Sequence, residues 1–198
     1  MKGYALIGSR RGGGNTATLV REAVRGLEMH GIDTTVHCVG DMDIRGCDGC
    51  EGCRKDGICV IDDDMTKVLE QMDEADVVIF GSPTYFYNVT SDMKAVIDRM
   101  YCRVRFHEDD RSIWSSHYED LPLRYAITIS VCEQHDIADM GFTTMAMTMP
   151  LQCLGYRIVE SVETIGLFEA DAAESDEESR SKAKKAGEKA ALLLKMKT

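Results

Sequence analysis

Short apolar segments and amphipathic segments alternate along the chain, and this pattern predicts strands and helices in turn. Five apolar segments have the length and composition of strands, namely 2–8, 34–39, 76–81, 123–131 and 156–162. The run at 76–81 is typical of a central parallel strand covered on both faces. Between these segments apolar residues recur at helical spacing, as in Leu19, Ala23 and Leu27. Strands that alternate with helices predict a doubly wound parallel α/β sheet.

The same pattern predicts where individual helices and irregular segments begin and end. Apolar residues at helical spacing from Met93 to Val104 predict one helix that extends to Val104. Residues 105–122 are predicted to be irregular, and residues 176–197 are predicted to form a terminal helix. Since no linker or internal repeat interrupts the chain, we expect residues 1–198 to form a single domain.

The charge balance restricts the partners that we expect. The chain has 23 basic and 34 acidic side chains, and a net charge of −11 repels phosphate backbones, so nucleic acid is not an expected partner. The apolar start at residues 1–8 is too short for a signal peptide, and no run approaches the ~20 apolar residues of a membrane span. The expected location is therefore cytoplasmic, without membrane contact. In that compartment the eight cysteines are not expected to form a disulfide framework.

The loop after the first strand has the composition of a phosphate-binding turn. Ligands of doubly wound sheets bind at the carboxyl ends of the strands, and here three consecutive glycines, ending at Gly14, let backbone N–H groups approach a ligand at a helix start. Ser9, Asn15 and Thr16 can donate hydrogen bonds, and Arg11 can neutralise charge. The loop lacks the lysine of a nucleoside-triphosphate loop and the glycine spacing of a dinucleotide fingerprint. The alternative is a plain glycine-rich turn with Asn15 as the helix N-cap.

The loop after the third strand combines a rigid turn with aromatic side chains. Pro83 stiffens the turn, and Tyr85, Phe86 and Tyr87 follow it closely. A flat isoalloxazine ring needs such stacking surfaces together with backbone amides directed at its nitrogen and oxygen atoms. The alternative is a structural turn whose aromatic side chains fill the core.

A glycine-rich insertion loop at about 41–63 carries four cysteines with the spacing C-x2-C-x2-C-x5-C. These are Cys47, Cys50, Cys53 and Cys59. Thiolates at this spacing can converge on one point, and the compact pattern is typical of [4Fe–4S] ligands. Two alternatives remain: structural zinc, which usually takes two separated C-x2-C pairs, and a loop without metal.

Other chemically active residues are given structural roles. Asp62, Asp63 and Asp64 are predicted to cap the helix that follows them. The remaining cysteines are predicted to be small buried hydrophobic residues, with Cys132 placed in the third ligand loop. They are Cys38, Cys102, Cys132 and Cys153.

Taken in chain order, these motifs resemble the NAD(P)H-dependent FMN reductases and, within them, the iron–sulfur flavoproteins. The resemblance rests on Ile7-Gly-Ser-x-Arg-x-Gly-Gly-Asn-Thr16, Cys59-Val-Ile-x-Asp-Asp-Met65, Phe80-Gly-Ser-Pro-x-Tyr-Phe-x-Asn88 and Met93-Lys-Ala-x-Ile-Asp-Arg99. It implies a flavodoxin-like five-stranded parallel sheet of order 2-1-3-4-5 with helices on both faces, and a bound FMN. The implied cofactor-binding residues are Ser9, Arg11, Gly14, Asn15 and Thr16 at the phosphate, and Ser82, Pro83, Thr84, Tyr85, Phe86 and Asn88 at the ring.

Two positions depart from the family pattern. Arg10 stands where relatives commonly have proline, and it can add positive charge to the phosphate loop. The loop after the fourth strand, 130–135, carries bulkier residues where many relatives place glycines beside the flavin. We therefore expect a different shape at that edge of the ring.

The resemblance implies an FMN-dependent oxidoreductase in which a [4Fe–4S] cluster relays electrons to or from FMN. The alternatives are a cluster-less NAD(P)H-dependent FMN or quinone reductase, and a non-enzymatic flavodoxin-like electron carrier. No catalytic side chain is predicted, because the chemistry belongs to the cofactor. Expected partners are NAD(P)H or a ferredoxin-like carrier, and further copies of the chain in a dimer or tetramer. In such an assembly, one subunit's cluster would face a neighbour's flavin.

Overall fold

The computed structural model describes residues 1–196, and seven strands lie within that range. They are β1 (Lys2–Ile7), β2 (Asp33–Cys38), β3 (Val77–Pro83), β4 (Val104–Phe106), β5 (Trp114–Ser116), β6 (Arg124–Val131) and β7 (Tyr156–Thr164). Five of them form one parallel sheet in the order β2-β1-β3-β6-β7. When only these five strands are numbered along the chain, β6 and β7 become the fourth and fifth, and the order is 2-1-3-4-5. The predicted fold class and topology are therefore confirmed.

Helices cover both faces of this sheet. Within residues 1–196 they are α1 (Asn15–Glu28), α2 (Met65–Glu74), α3 (Ser91–Arg99), α4 (Thr143–Cys153), α5 (Ala172–Ser175) and α6 (Glu177–Lys195). Lys197, where the predicted terminal helix ends, lies outside the described residues. Among the described helices, none is both long enough and apolar enough to cross a bilayer.

Alternate residues of the strands contribute to two separate cores. Ala5 and Ile79 belong to the core under α1 and α6, whereas Leu6 and Phe80 belong to the core under α2, α3 and α4. This division follows from the pleat, which directs successive side chains to opposite faces. The central strand β3 is buried on both faces, as its apolar run predicts.

Helices α1 and α6 approach closely because each contains a glycine that faces the backbone of the other helix. A Cβ atom on Gly187 would collide with the carbonyl oxygen of Ala23, and one on Gly26 would collide with that of Lys184. Both helices therefore pack backbone to backbone. This contact fixes the C-terminal half of α1 against α6.

The segment after α3 differs from the sequence-based expectation. The helix ends at Arg99 and is followed by a 3-10 turn, so Val104 starts a strand instead of ending a helix. Residues 105–122 are not wholly irregular either, because β4 and β5 pair as a short antiparallel ribbon. Asp73 in α2 anchors this ribbon by accepting hydrogen bonds from Arg103 at 3.0 and 2.5 Å and from Tyr118 at 2.6 Å. Strands of three residues are too short to produce a periodic apolar pattern.

Candidate functional site

Loops at the carboxyl edge of the sheet enclose a cleft of about 140 Å³. Eight of the predicted cofactor-binding residues line it, namely Ser9, Arg11, Gly14, Asn15, Thr16, Pro83, Thr84 and Tyr85. The remaining three predicted residues lie outside the lining. Ser82 is fully buried behind it, Phe86 projects into solvent, and Asn88 closes the turn that carries Phe86. Residues of the first loop and of the loop after β3 therefore form two walls of this cleft.

The phosphate-loop prediction corresponds to the segment between β1 and α1. Gly14 is the helix N-cap, and the neighbouring Ser9 and Thr16 side chains are largely buried at the cleft. The Arg11 guanidinium has no hydrogen-bond or ion-pair partner anywhere in residues 1–196. An unpaired cation beside a helix N-terminus suits an anionic ligand.

Arg10 does not add its charge to the cleft. Its guanidinium donates two hydrogen bonds to the Asp92 carboxylate, at 2.7 and 2.8 Å, and thereby links the loop to α3. Of the two adjacent arginines, only Arg11 lines the cleft.

Asn15 holds a third wall that sequence reasoning missed. Its amide nitrogen donates to the carbonyl oxygens of Leu167 and Glu169, and its oxygen accepts from the N–H of Ala173. The segment after β7 is thereby fixed beside the cleft, where Leu167, Phe168 and Ala170 form part of the lining. Asn15 is not the N-cap that the alternative interpretation required. The position of this segment after the last strand was the available signal, because that strand also ends at the ligand edge.

The aromatic turn is held in a strained conformation. Tyr85 and Asn88 exchange backbone hydrogen bonds at 2.7 and 3.2 Å, and the two residues between them, Phe86 and Tyr87, have φ values of 46° and 67°. Non-glycine residues in this left-handed region cost about 1–2 kcal/mol each. Such two-residue turns normally prefer Asn-Gly. The Phe86 side chain is 96% exposed at the tip, so the strain presents an aromatic ring beside the cleft and not in the core.

The turn is supported from the start of α4. The N–H of Phe142 donates to the carbonyl oxygen of Tyr87 at 2.8 Å. Gly141 has a positive φ of 56° and lies so close that a Cβ atom there would be 2.5 Å from the same oxygen. The turn geometry is therefore imposed by its neighbours.

The loop after β6 places bulky side chains at the edge of the cleft. Glu133 lines the cleft, and the His135 ring packs against Phe168 at 5.0 Å between centroids. Cys132 is buried at the start of this loop. This edge of the cleft therefore carries the Glu133 carboxylate beside the ring pair of His135 and Phe168.

Thr90 connects the two predicted ligand loops and was not identified from the sequence. Its hydroxyl donates to the carbonyl oxygen of Gly8 at 2.7 Å and accepts from the N–H of Met93 at 3.2 Å. Its own N–H donates to the hydroxyl of Ser82 at 3.2 Å. A single buried side chain thus caps α3 and fixes the spacing between the first loop and the aromatic turn.

Replacing Thr90 with valine is expected to destabilise the protein by about 1–3 kcal/mol, because two buried backbone groups lose their partner. The two side chains have nearly the same shape, so packing changes little. Urea unfolding measures the loss, and Thr90→Ser, which keeps the hydroxyl, is the matched control. Equal stability of Thr90→Val and the parent protein would contradict the assigned role.

The four predicted ligand cysteines line a second and larger cavity of about 570 Å³. Cys47 and Cys50 are exposed at its rim, whereas Cys53 and Cys59 are half-buried. Burial raises the pKa of Cys53, and the three neighbouring cysteines add to this effect. Within residues 1–196, no three His, Cys, Asp or Glu side chains are arranged to hold a single metal ion. The structure therefore brings the four cysteines around one cavity without forming a single-ion site.

The opposite wall of this cavity is largely apolar and holds a fifth cysteine. It includes Ile97, Met100, Val104, Pro150, Cys153 and Leu154. Of the cysteines predicted to be buried, Cys102 and Cys132 are buried, and Cys38 and Cys153 are only half-buried. Cys38 donates to the carbonyl oxygen of Ser9 at 2.9 Å, so it supports the first loop.

The acidic run after the cysteines has a larger role than helix capping. Asp63 does accept from the N–H of Met65 at 3.0 Å, but its carboxylate also forms an ion pair with Arg99 at 2.8 Å. Both side chains are only 1% exposed. Asp64 instead pairs with Lys67, and Asp62 is exposed. Asp63 is therefore the residue that anchors the end of the loop.

Comparison with known proteins agrees with these features. The family model for NADPH-dependent FMN reductase matches residues 1–118. An iron–sulfur flavoprotein of Methanocaldococcus jannaschii is 41% identical over 99 residues, which is 50% of this chain and 51% of the relative. One of Methanosarcina thermophila is 33% identical over 99 residues, or 50% of this chain and 52% of the relative. The matched segment thus spans about half the length of these curated relatives.

Solved structures share the fold at low sequence identity. The FMN-dependent NADH-azoreductase of Bacillus anthracis, in complex with FMN, superposes with a TM-score of 0.67 at 15% identity, covering 98% of both chains. An archaeal flavodoxin superposes with a TM-score of 0.61 at 14% identity, covering 98% of this chain and 99% of that one. These likenesses support the fold, and the family model supports the resemblance drawn from the motifs. The chain belongs to the NADPH-dependent FMN reductase family.

Proposed function

We propose that this protein is an FMN-dependent oxidoreductase in which a [4Fe–4S] cluster exchanges electrons with FMN. The observation that carries the FMN assignment is the convergence of the two motif loops on one cleft that contains the unpaired Arg11. When bound, FMN accepts a hydride or single electrons, and a cluster passes single electrons. The contribution of the chain is to bind, orient and shield these groups.

The enclosed part of the cleft fits the phosphate end of FMN. Its volume of about 140 Å³ is below the roughly 300–1,000 Å³ of pockets that bury a drug-sized ligand. Ser9, Arg11 and Thr16 would hold the phosphate, while Asn15 keeps the opposite wall in place. The flat ring would lie outside, over the aromatic turn, where NAD(P)H can reach it.

The cysteine cavity fits a cluster better than a single ion. Four thiolates around one zinc ion lie about 2.3 Å from it, which requires closely grouped sulfur atoms. The four cysteines instead surround a cavity of about 570 Å³ with an apolar far wall. Four soft sulfur ligands around a cavity with a largely apolar wall suit a cubane cluster, and several of the curated relatives that match are named iron–sulfur flavoproteins.

A homo-oligomer would complete both sites, because helix α4 runs between them. Its start supports the aromatic turn, and its end lines the cysteine cavity. Phe142, Met145 and Met149 expose apolar side chains along it, with 64%, 52% and 58% of their surface accessible. A second copy that covers this face would shield the flavin ring and lie close to the cluster. A ferredoxin-like carrier or NAD(P)H would then supply or accept electrons.

The test is the cofactor content of protein purified without oxygen. We expect one FMN and about four irons with matching acid-labile sulfide per chain. Cys53→Ser should lose the iron and keep FMN, because the two sites are formed by different loops. Cys153→Ser is the matched control, since this residue lines the same cavity and is not among the predicted ligands.

Other outcomes would reject parts of the proposal. Recovery of FAD, or no flavin after reconstitution, would contradict the FMN assignment. Firmly bound zinc, or no iron after anaerobic reconstitution, would contradict the cluster and leave a cluster-less NAD(P)H-dependent FMN or quinone reductase. A monomeric mass by light scattering at micromolar concentration would contradict the homo-oligomer.

A further inference from the structure

Arg99 is a buried arginine whose donors are all directed at the cysteine loop. It makes five hydrogen bonds, which equals the number of N–H groups on a guanidinium. Two go to the Asp63 carboxylate at 2.8 and 3.0 Å, and two go to the carbonyl oxygens of Arg45 and Ile61 at 2.9 and 3.1 Å. The fifth goes from Nε to the sulfur of Cys59 at 3.2 Å. The side chain is only 1% exposed, and all of its donors are used within the protein.

The position of Arg99 explains how it controls the loop. It is the last residue of α3, and its partners stand on both sides of the four cysteines, with Arg45 before them and Ile61 and Asp63 after them. The guanidinium therefore closes the base of the loop. The Asp63 carboxylate alone neutralises the positive charge of Arg99. The hydrogen bond to Cys59 is therefore not needed to balance this buried charge.

Cys59 is distinguished from the other predicted ligands by this bond. Its sulfur accepts from a buried guanidinium, whereas the Cys50 thiol interacts with the Asp48 carboxylate. A donor at a ligating thiolate stabilises the more negative, reduced form of a cluster. The same donor fixes the direction of the sulfur.

We infer that Arg99 is a positioning residue for Cys59 and that its Nε–H raises the reduction potential of the cluster. This inference rests on the proposed function, because it requires that the four cysteines hold a [4Fe–4S] cluster. It concerns the chain's own hydrogen bond, which neither the motif spacing nor the family match assigns.

The experiment is a redox titration of anaerobically purified protein, with the cluster and the flavin followed separately by their spectra. Arg99→Lys keeps the positive charge near Asp63 and removes the Nε donor. We expect it to bind FMN normally and to show a cluster with a lower midpoint potential. The FMN potential should not move, because the cleft is formed by other loops.

A second variant covers the case in which Arg99→Lys does not fold. The double variant Arg99→Gln with Asp63→Asn removes both buried charges together and leaves neither unpaired. It should show the same downward shift. Arg103→Lys is the matched control, since Arg103 donates to Asp73 and Gly57 and not to a predicted ligand sulfur. Its cluster potential should equal that of the parent protein.

Each outcome supports or rejects either the role of Arg99 or the proposed cluster. Folded, FMN-binding variants that lose iron would support the positioning role directly. An unchanged cluster potential in both Arg99 variants would overturn the inference while leaving the cluster proposal intact. Failure of both variants to fold would make Arg99 a residue of the fold alone and would also reject it. Absence of iron from the parent protein would reject the proposed cluster itself.

Discussion

Replacing Asp63 with alanine is expected to destabilise the protein by about 3–5 kcal/mol, the cost of leaving a buried charge without its partner. Arg99 would keep its positive charge in a position where its side chain is 1% exposed. The same change removes the acceptor for the N–H groups of Arg45 and Met65, each bonded at 3.0 Å. The base of the cysteine loop would then lose its connection to α3.

Chemical denaturation measures this effect, and the neighbouring Asp62 provides the control. Asp62 is exposed, and Asp62→Ala should change the free energy of unfolding by less than about 0.5 kcal/mol. FMN should still bind to folded Asp63→Ala protein, because the cleft lies elsewhere. If Asp63→Ala lowered the free energy of unfolding by less than about 1 kcal/mol, the ion pair of Asp63 with Arg99 would not be important for stability.

The Asp63–Arg99 ion pair should also make the free energy of unfolding depend on pH. Burial alone would raise the pKa of Asp63, but the hydrogen bonds from Arg99 and from the backbone of Arg45 and Met65 outweigh it, so the pKa lies below its usual value. A lowered carboxyl pKa adds stability above the unfolded value of about 3.9, and this stability is lost as the pH falls toward the folded value. The difference between parent protein and Asp63→Ala should therefore shrink in acid below about pH 4.

The sheet topology could be predicted because the apolar runs mark the strands and their order along the chain limits the possible arrangements. Five strands and their alternation with helices left few arrangements, and the glycine-rich first loop indicated which edge binds a ligand. The ribbon of β4 and β5 could not be predicted in this way. It is held by Asp73, Arg103 and Tyr118, which are polar residues far apart in the sequence.

The candidate site was predictable only where local composition reveals it. The four cysteines and the two loops stand out as sequence motifs, whereas Thr90 and Arg99 act through contacts with distant backbone. A threonine or arginine at a helix end ordinarily indicates a cap or a solvated charge. Burial of these side chains is a property of the fold, so their roles became visible only with the structure.

Replacing Arg11 with alanine is expected to weaken FMN binding by about 1.5–3 kcal/mol, or roughly 10- to 150-fold. The guanidinium lines the cleft and has no other partner within residues 1–196, so its charge is available to a phosphate. Because the side chain is exposed and unpaired, its removal should leave the free energy of unfolding of the apoprotein nearly unchanged. Titration of apoprotein with FMN, followed by flavin fluorescence, measures the change.

Two controls separate phosphate recognition from a general loss of charge. Arg10→Ala removes the adjacent arginine, whose guanidinium is bonded to Asp92, and it should bind FMN almost as tightly as the parent protein. Riboflavin, which lacks the phosphate, should bind equally to the parent and to Arg11→Ala. If Arg11→Ala kept its FMN affinity, or lost riboflavin affinity by the same factor, the phosphate would not lie at Arg11. The larger effect at position 11 than at position 10 is expected because only one of two neighbouring arginines is free to meet a ligand.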